Sequence, residues 1–311
     1  MSGPPVSGRS AGGGLAAIER ASTWLNSEPL TAASLADRVV LVDFWTYSCV
    51  NWLRTLPYLR AWHERYRDRG LTILGAHAPE FGFEHELDNV RAAAGELGVD
   101  YPVAIDNEFA IWRSFDNHYW PAIYIVGRDG LIAFEHFGEG AYDDTERAIQ
   151  HLLGHEEELS AVEAGGRFEA ADWERLGSPE TYLGFARGER RSDAPAAELA
   201  LNDWRLTGAW SAREESVDLQ DAPGAIAYRF RARDVNLVMA PPEGGGEVPF
   251  TIALDGAEPG AEAGVDIEES GAGTLSEPRM YQLLRLRRPG AHTFEVTFRA
   301  PGARAYVFTF G

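Results

Sequence analysis

The sequence predicts two domains, an α/β sandwich with a mixed central sheet followed by an all-β sandwich. Three observations support this fold class. The chain has 311 residues, and a domain usually takes about 150. Strand-like and helix-like patterns alternate as far as Leu153. After Leu199 apolar residues recur instead with period two between turn signals, which is typical of antiparallel strands.

The first half reads in the order β-α-β-α-β-α-β-β-α. Apolar runs predict strands, and apolar residues three or four positions apart predict helices. Arg128, Asp129 and Gly130 mark the turn of a hairpin between the last two strands. The predicted strands are 39–42, 71–76, 103–105, 123–126 and 131–137, and the predicted helices are 50–69, 83–97, 109–115 and 143–153.

The second half divides into a connector and a β domain. Residues 157–198 are acidic and rich in Ala and Gly, so we expect a connector there. Residues 199–311 contain alternating strands, at 226–232 and 294–298 among others. We expect most aromatic residues of this domain to be core. The set is Trp204, Trp210, Tyr228, Phe230, Phe250, Tyr281, Phe294, Phe298, Tyr306, Phe308 and Phe310.

Composition excludes several classes of protein. Asp and Glu number 48 against 28 Lys and Arg, a net charge of -20, which argues against a basic surface for nucleic acid or anionic membranes. No apolar run reaches the ~18 residues of a membrane span. The N-terminus lacks the apolar core of a signal peptide. We therefore expect residues 1–22 to be flexible and the protein to be cytoplasmic, or extracytoplasmic if a leader was removed.

The chain has one cysteine, Cys49, which excludes an intrachain disulfide and a cysteine-rich zinc site. Cys49 stands where a buried strand ends and a long helix begins. Unbonded N–H groups and the helix dipole favour a thiolate at such a position. The alternative is a buried cysteine that serves as a small hydrophobic residue. We favour the reactive thiol. Neither a cofactor nor a metal site is expected, since the histidines lack the spacing of metal ligands.

Seven motifs in combination resemble the thioredoxin-like superfamily. The similarity is greatest to the soluble region of DipZ-type proteins, which joins a TlpA-like thioredoxin domain to a β-sandwich like that of carbohydrate-binding modules. It implies a thioredoxin-like domain at 23–156 and a jelly-roll-like sandwich at 199–311. The motifs are FWTYSC at 44–49, HAPEF at 77–81, DN at 106–107, YWPA at 119–122, FGEG at 137–140, PETYLG at 179–184 and AYVFTFG at 305–311.

This resemblance implies a role for several residues. Cys49 is expected to be the nucleophile, Pro121 a cis-proline that shapes the substrate site, and Glu80 a proton relay. His77 is either a base for Cys49 or a structural histidine. The aromatic residues expected to flank the thiol pocket are Trp45, Tyr47, Trp52 and Trp120. A glycan is a candidate ligand of the β domain, provided that a few of its rings are exposed.

One departure from the family limits these inferences. The Cys-x-x-Cys pattern reads Cys49-Val50-Asn51-Trp52, so the thiol that expels the substrate from a mixed disulfide is missing. Cys49 is then a single-thiol catalyst resolved by an outside thiol, acting on a protein disulfide, a low-molecular-weight thiol or a peroxide.

Two further interpretations stay open. The chain is a redox-inactive binding protein, or position 52 is a selenocysteine rendered as tryptophan, in which case its codon is UGA. The peroxide reading has partial support from a peroxiredoxin-like pattern, Thr46-x-x-Cys49, but Val42 occupies the position where that motif has proline.

Overall fold

The computed structural model describes residues 9–10 and 12–311. Contacts divide the chain into two compact units, the first ending at Phe168 and the second comprising Glu169–Gly311. The boundary lies inside the segment 157–198 that we expected to be a connector. Residues 169–198 therefore belong to the second unit. Among the described residues, no helix is long and apolar enough to cross a membrane.

The first unit is built on a mixed sheet, which among the described residues has seven strands in the order β1-β7-β6-β3-β4-β5-β2. The central strands β3, β4 and β5 are parallel, and the remaining neighbours are antiparallel. The elements are β1 (Arg9–Ser10), α1 (Gly12–Ala16), β2 (Thr23–Leu25), β3 (Val39–Trp45), α2 (Val50–Tyr66), β4 (Leu71–His77), α3 (Leu87–Glu96), β5 (Val103–Ile105), α4 (Ala110–Ser114), β6 (Ala122–Val126), β7 (Leu131–Phe137) and α5 (Tyr142–Leu153).

The predicted α/β class is confirmed, with differences at two places. The helix expected over 83–97 is a 3₁₀ turn at Gly82–His85 followed by α3, because Glu86 has an extended backbone (φ -75°, ψ 112°). The sequence analysis missed β1 and β2, which are too short to show a hydrophobic period. They lie at the two edges of the sheet, against β7 and β5 respectively.

The N-terminal segment 1–22 departs from the expectation of a flexible tail over its described part. After α1 the chain forms a 3₁₀ turn at Ala17–Arg20. Ile18 has no exposed surface and lies in a core cluster with Val40 and Phe115. Burying an aliphatic side chain of this size is favourable by about 2 kcal/mol, which anchors this turn to the sheet. Residues 1–8 and 11 lie outside the described residues.

The second unit is all-β, as predicted. Its strands, taken over the described residues, are antiparallel and follow the order β12-β11-β13-β10-β14-β8, with β9 paired to β10. They are β8 (Thr181–Tyr182), β9 (Trp204–Ala212), β10 (Val217–Ala240), β11 (Val248–Leu254), β12 (Ala272–Leu275), β13 (Arg279–Phe298) and β14 (Arg304–Phe310).

The long strand β10, of 24 residues, folds this sheet back on itself. Ala305 of β14 pairs with Val217 near the start of β10 and also with Met239 near its end. Because the two ends of one strand meet the same partner strand, the sheet must curl. The enclosed space is filled by aromatic and aliphatic side chains such as Tyr228 and Phe308. The predicted strands 226–232 and 294–298 are parts of β10 and β13.

Candidate active site

Cys49 lies at the junction of β3 and α2. Strand β3 ends at Trp45, and α2 begins at Val50 with Cys49 as its N-cap residue. The Cys49 N–H donates to the Thr46 carbonyl (3.3 Å), and the Cys49 carbonyl accepts from Leu53 N–H (3.0 Å) in the first turn of the helix. The side chain is half-buried. The thiol is thus held at the positive end of a 17-residue helix.

The segment Trp120–Pro121 lies beside the thiol. Its peptide bond is cis, and the Cys49 Sγ is 3.8 Å from the Trp120 carbonyl oxygen. The Trp120 indole is half-buried and donates to the Ala78 carbonyl (2.9 Å). The Pro121 carbonyl accepts from Gly138 N–H (2.8 Å). The structure therefore brings together three of the expected site residues, namely Cys49, Trp120 and Pro121.

Trp52 occupies the position of the family's second cysteine, and it points into the core. Its side chain has no exposed surface, its Nε1 donates to Asp43 Oδ2 (3.0 Å), and it stacks on Trp45 with ring centroids 4.3 Å apart. Trp45 is fully buried as well. The expectation that these two rings flank a substrate pocket is therefore wrong, since neither has surface for a ligand to contact.

Asp43, the partner of Trp52, is a site residue that the sequence analysis missed. It is fully buried on β3, and its Oδ2 also accepts from the Tyr101 hydroxyl at 3.5 Å. Burial raises the pKa of Asp43 from 3.8 to about 7, although the bonds from Trp52 and Tyr101 oppose this. An acid inside the otherwise apolar run VVLVDFW was the available signal.

A second buried carboxyl, Glu84, adjoins the cysteine loop. Ser48, which precedes Cys49, donates its hydroxyl to Glu84 Oε1 (2.6 Å). The backbone N–H groups of Glu80 (2.6 Å) and Phe81 (3.0 Å) donate to Oε2. Burial raises the pKa of Glu84 from 4.5 to about 7, against the lowering effect of the Ser48 bond.

Glu84 bears directly on the role expected for Glu80. Glu80 is half-buried in the same loop, and its backbone supports the Glu84 carboxyl. Both acids thus belong to the segment that follows β4, and Glu84 is joined to the cysteine loop through the Ser48 hydroxyl. Sequence reasoning selected Glu80 because it lies in the HAPEF motif, and Glu84 lies just beyond that motif.

His77 is better described as a structural residue than as a base for Cys49. It is fully buried between Trp45 and Tyr47, with ring centroids at 5.0 and 6.1 Å. Within the described part of the chain, neither ring nitrogen has a hydrogen-bond partner. Burial lowers the pKa of His77 to about 3, so the ring stays neutral near pH 7. Tyr47 is itself only 4% exposed, which leaves it little surface toward a substrate.

The β unit gives no support to a glycan site on the aromatic set named above. Ten of its eleven members are buried, and Trp210 is partly buried against the core. Stacking on a sugar needs an exposed ring face. The strongly exposed aromatic residues of this unit, Trp173 and Phe185, lie outside the set.

Comparisons with known proteins agree with this architecture. The family model described as "Thioredoxin like C-terminal domain" matches residues 178–311. Protein DipZ of Mycobacterium tuberculosis is 32% identical over 305 residues, which cover 93% of this chain and 41% of DipZ. The chain thus spans about two fifths of the length of that relative.

Two further comparisons cover less than half of this chain. The thiol-disulfide oxidoreductase YkuV of Bacillus subtilis is 23% identical over 134 residues, covering 43% of this chain and 90% of YkuV. A solved structure described as a thioredoxin-like protein in the oxidized form is 24% identical, with a TM-score of 0.40, and covers 43% of this chain and 89% of its own. The chain therefore has a thioredoxin-like domain of the thiol–disulfide oxidoreductase type followed by an all-β domain, and it is similar to DipZ over 93% of its length.

Proposed function

We propose that this protein performs thiol–disulfide exchange with Cys49 as its single nucleophile, and that an outside thiol resolves the intermediate. The observation that carries the proposal is the position of the Cys49 thiol. It is half-buried at the start of α2, with its sulfur 3.8 Å from the Trp120 carbonyl beside Pro121. The residue three positions later, Trp52, is in the core and bonded to Asp43.

The exchange proceeds in two balanced steps. The Cys49 thiolate attacks one sulfur of a substrate disulfide; a bond forms between Cys49 and that sulfur, the substrate S–S bond breaks, and the other sulfur leaves as a thiolate that takes up a proton. An outside thiolate then attacks the substrate sulfur of the mixed disulfide. Cys49 leaves as a thiolate, and the outside thiol retains the substrate in a new disulfide. Cys49 undergoes no net oxidation.

The surrounding residues are assigned supporting roles in this proposal. Trp120 and Pro121 offer an edge of backbone along which an extended substrate polypeptide lies, with its sulfur at Cys49. Glu80 remains the acid proposed from family resemblance as a proton relay. Glu84 is a second candidate, supported by its bond to Ser48 and by a pKa raised to about 7. Protein disulfides and low-molecular-weight disulfides are the proposed substrates, and a cytoplasmic location stays a prediction.

The test is intact-mass analysis of the native chain after incubation with glutathione disulfide. We expect one glutathione adduct on the wild type, removed by dithiothreitol, and none on Cys49→Ser. Iodoacetamide alkylation measured from pH 5 to 9 should give a thiol pKa well below the ordinary ~8.5. An adduct that forms only after denaturation would show that Cys49 is shielded, and would leave the redox-inactive binding protein as the better reading.

Two other hypotheses, a peroxidase and a selenocysteine at position 52, each have a direct test. Exposure to hydrogen peroxide followed by mass analysis detects a sulfenic or sulfinic acid on Cys49, which would indicate a peroxidase. Sequencing the codon for position 52 tests the selenocysteine reading, which requires UGA.

A further inference from the structure

A buried ion pair joins α2 to the loop after β7. Arg54 Nη1 lies 2.8 Å from Glu139 Oε1, and the two side chains are only 2% and 4% exposed. Arg54 follows Cys49 by five residues on α2. Glu139 lies between Gly138 and Gly140, whose positive φ angles of 83° and 100° suit glycine. The FGEG motif therefore presents one acid to the helix that carries the thiol.

Burying the charges of Arg54 and Glu139 costs desolvation free energy, and the attraction between them offsets little more than this cost. Burial raises the pKa of Glu139, while Arg54 opposes the rise. Arg54 Nε has no hydrogen-bond partner among the described residues. Buried ion pairs add little net stability compared with apolar residues of similar volume, but they do fix the geometry of the groups they join. The pair is thus better explained by what it positions.

A series of contacts connects the Arg54–Glu139 pair to the Cys49 thiol. Gly138, next to Glu139, donates its N–H to the Pro121 carbonyl (2.8 Å). The Trp120 carbonyl lies 3.8 Å from Cys49 Sγ, and Cys49 begins the helix that carries Arg54. These contacts form a closed ring through α2, Glu139, Pro121 and Trp120. The His136 ring, with Nε2 as donor, bonds the Glu139 carbonyl at 3.2 Å and holds the loop from the other side.

We propose that Arg54 and Glu139 are positioning residues that set the spacing between Cys49 and the Trp120–Pro121 segment, and that this spacing serves attack on polypeptide disulfides. The inference rests on the proposed function. A polypeptide must place its backbone on Trp120–Pro121 and its sulfur at Cys49 at the same time. A small disulfide needs only the accessible thiol, so its reaction does not depend on this spacing.

The experiment compares two disulfides with the same leaving group. One is a ten-residue peptide whose cysteine carries 2-nitro-5-thiobenzoate, and the other is N-acetylcysteine amide carrying that group. Release of the coloured thiolate gives the second-order rate constant for each. The variants are Glu139→Gln, Arg54→Lys and the double variant Arg54→Met with Glu139→Met, which removes both charges together and keeps the chain foldable.

We expect Glu139→Gln and the double variant to lower the peptide rate about 10-fold or more, as small misalignments do, and to change the N-acetylcysteine amide rate less than about 2-fold. Arg54→Lys, which keeps the charge but loses the planar fork, should retain an intermediate peptide rate. The matched control is Arg65→Met. Arg65 lies farther along α2, and its substitution removes the ion pair that it forms with Glu146 of α5 (3.2 Å). It should leave the ratio of the two rates unchanged.

The outcomes separate this inference from the proposed function. If the folded variants lose both rates equally, or lose neither, Arg54 and Glu139 do not position the substrate segment and the inference is overturned. If the wild type reacts with neither probe, the proposed function fails and the inference fails with it. Circular dichroism in the near ultraviolet establishes that each variant is folded before its rates are compared.

Discussion

Both units of the chain hold a buried carboxylate paired with arginine, Glu139 in the first and Asp234 in the second, but the first unit also buries two carboxyls that have neutral partners. In the β unit, Asp234 is fully buried and bonds two guanidinium groups, Arg233 Nη2 (2.8 Å) and Arg285 Nε (2.7 Å). In the thioredoxin-like unit, Asp43 and Glu84 are also fully buried. These two carboxyls accept hydrogen bonds from indole, hydroxyl and backbone N–H groups, which are neutral.

This difference separates a structural acid from acids suited to proton transfer. A carboxylate held by two arginines stabilises one arrangement of strands through charge-assisted hydrogen bonds. A buried carboxyl bonded to neutral donors has a raised pKa, here about 7 for both Asp43 and Glu84. Such groups change protonation near physiological pH, and perturbed pKa values of this kind concentrate at functional sites. Both lie on segments adjoining Cys49, the residue proposed to react.

The largest expected effect comes from giving the first unit a second thiol. Trp52→Cys should form an intramolecular disulfide on oxidation and shorten the lifetime of the Cys49 mixed disulfide at least about 100-fold, because the resolving thiol is then held nearby. Loss of the indole should also cost about 3 kcal/mol of stability. Thiol titration and the decay of the glutathione adduct measure the two effects.

The control for this variant is Trp52→Phe, which leaves the site with one thiol. It should lose stability, since Asp43 loses a donor, and should keep a long-lived adduct. An unchanged adduct lifetime in Trp52→Cys would mean that position 52 cannot reach the mixed disulfide, and that the core position of Trp52 rather than its lack of sulfur governs resolution.

The next effect tests the structural role of the β unit. Asp234→Asn leaves Arg233 and Arg285 without their buried carboxylate, so we expect a loss of about 3 kcal/mol or more of stability. The iodoacetamide rate of Cys49 should stay within about 2-fold of the wild type. Chemical denaturation and alkylation kinetics check these two statements. A large change in the alkylation rate would contradict the separation of roles between the units.

A smaller effect is the pH dependence of stability due to Asp43. Its pKa is about 7 in the folded state against 3.8 ordinarily, so the folded state retains a proton that the unfolded state releases. The contribution of Asp43 to the free energy of unfolding is therefore greatest below about pH 4 and falls as pH rises toward 7. Asp43→Asn should remove this decline, at most about 1.4 kcal/mol per pH unit.

Urea denaturation of wild type and Asp43→Asn between pH 4.5 and 7.5 measures the difference in slope. Glu84, whose pKa is also raised, acts in the same direction, whereas the lowered pKa of His77 acts oppositely below about pH 6.5. Both residues are present in each protein, so their effects cancel in the comparison. Parallel slopes would indicate that Asp43 is ionised throughout this range.

The smallest effect concerns the link between the cysteine loop and Glu84. Ser48→Ala removes the hydroxyl that donates to Glu84 Oε1, which should cost about 1 kcal/mol of stability. The Glu84 carboxyl then loses a donor to its ionised form, so its pKa should rise further. Thermal denaturation and the pH profile of Cys49 alkylation give the readout, with Ser34→Ala, an exposed serine of the same unit, as the control. Equal effects in the two variants would argue against a specific link.

The elements of the first unit were largely predictable, and the short ones were not. The strand at Val103–Ile105 and the hairpin strand Leu131–Phe137 have the predicted bounds, because apolar runs and turn residues are local signals. Strand β2 has three residues and exists only because it pairs with β5. The curl of β10 depends likewise on pairing both of its ends with β14, which no local pattern records.

The sequence by itself determined the position of the thiol at a strand-to-helix junction, the replacement of its family partner by Trp52, and the succession of an α/β and an all-β domain. These three features follow from the local spacing of residue types along the sequence. Only the tertiary structure decided which partners the buried carboxyls bond. Ser48 and Glu84 are 36 residues apart, Asp43 and Tyr101 are 58 apart, and Arg54 and Glu139 are 85 apart. Their protonation depends on burial, which is a property of the packed chain and not of any segment.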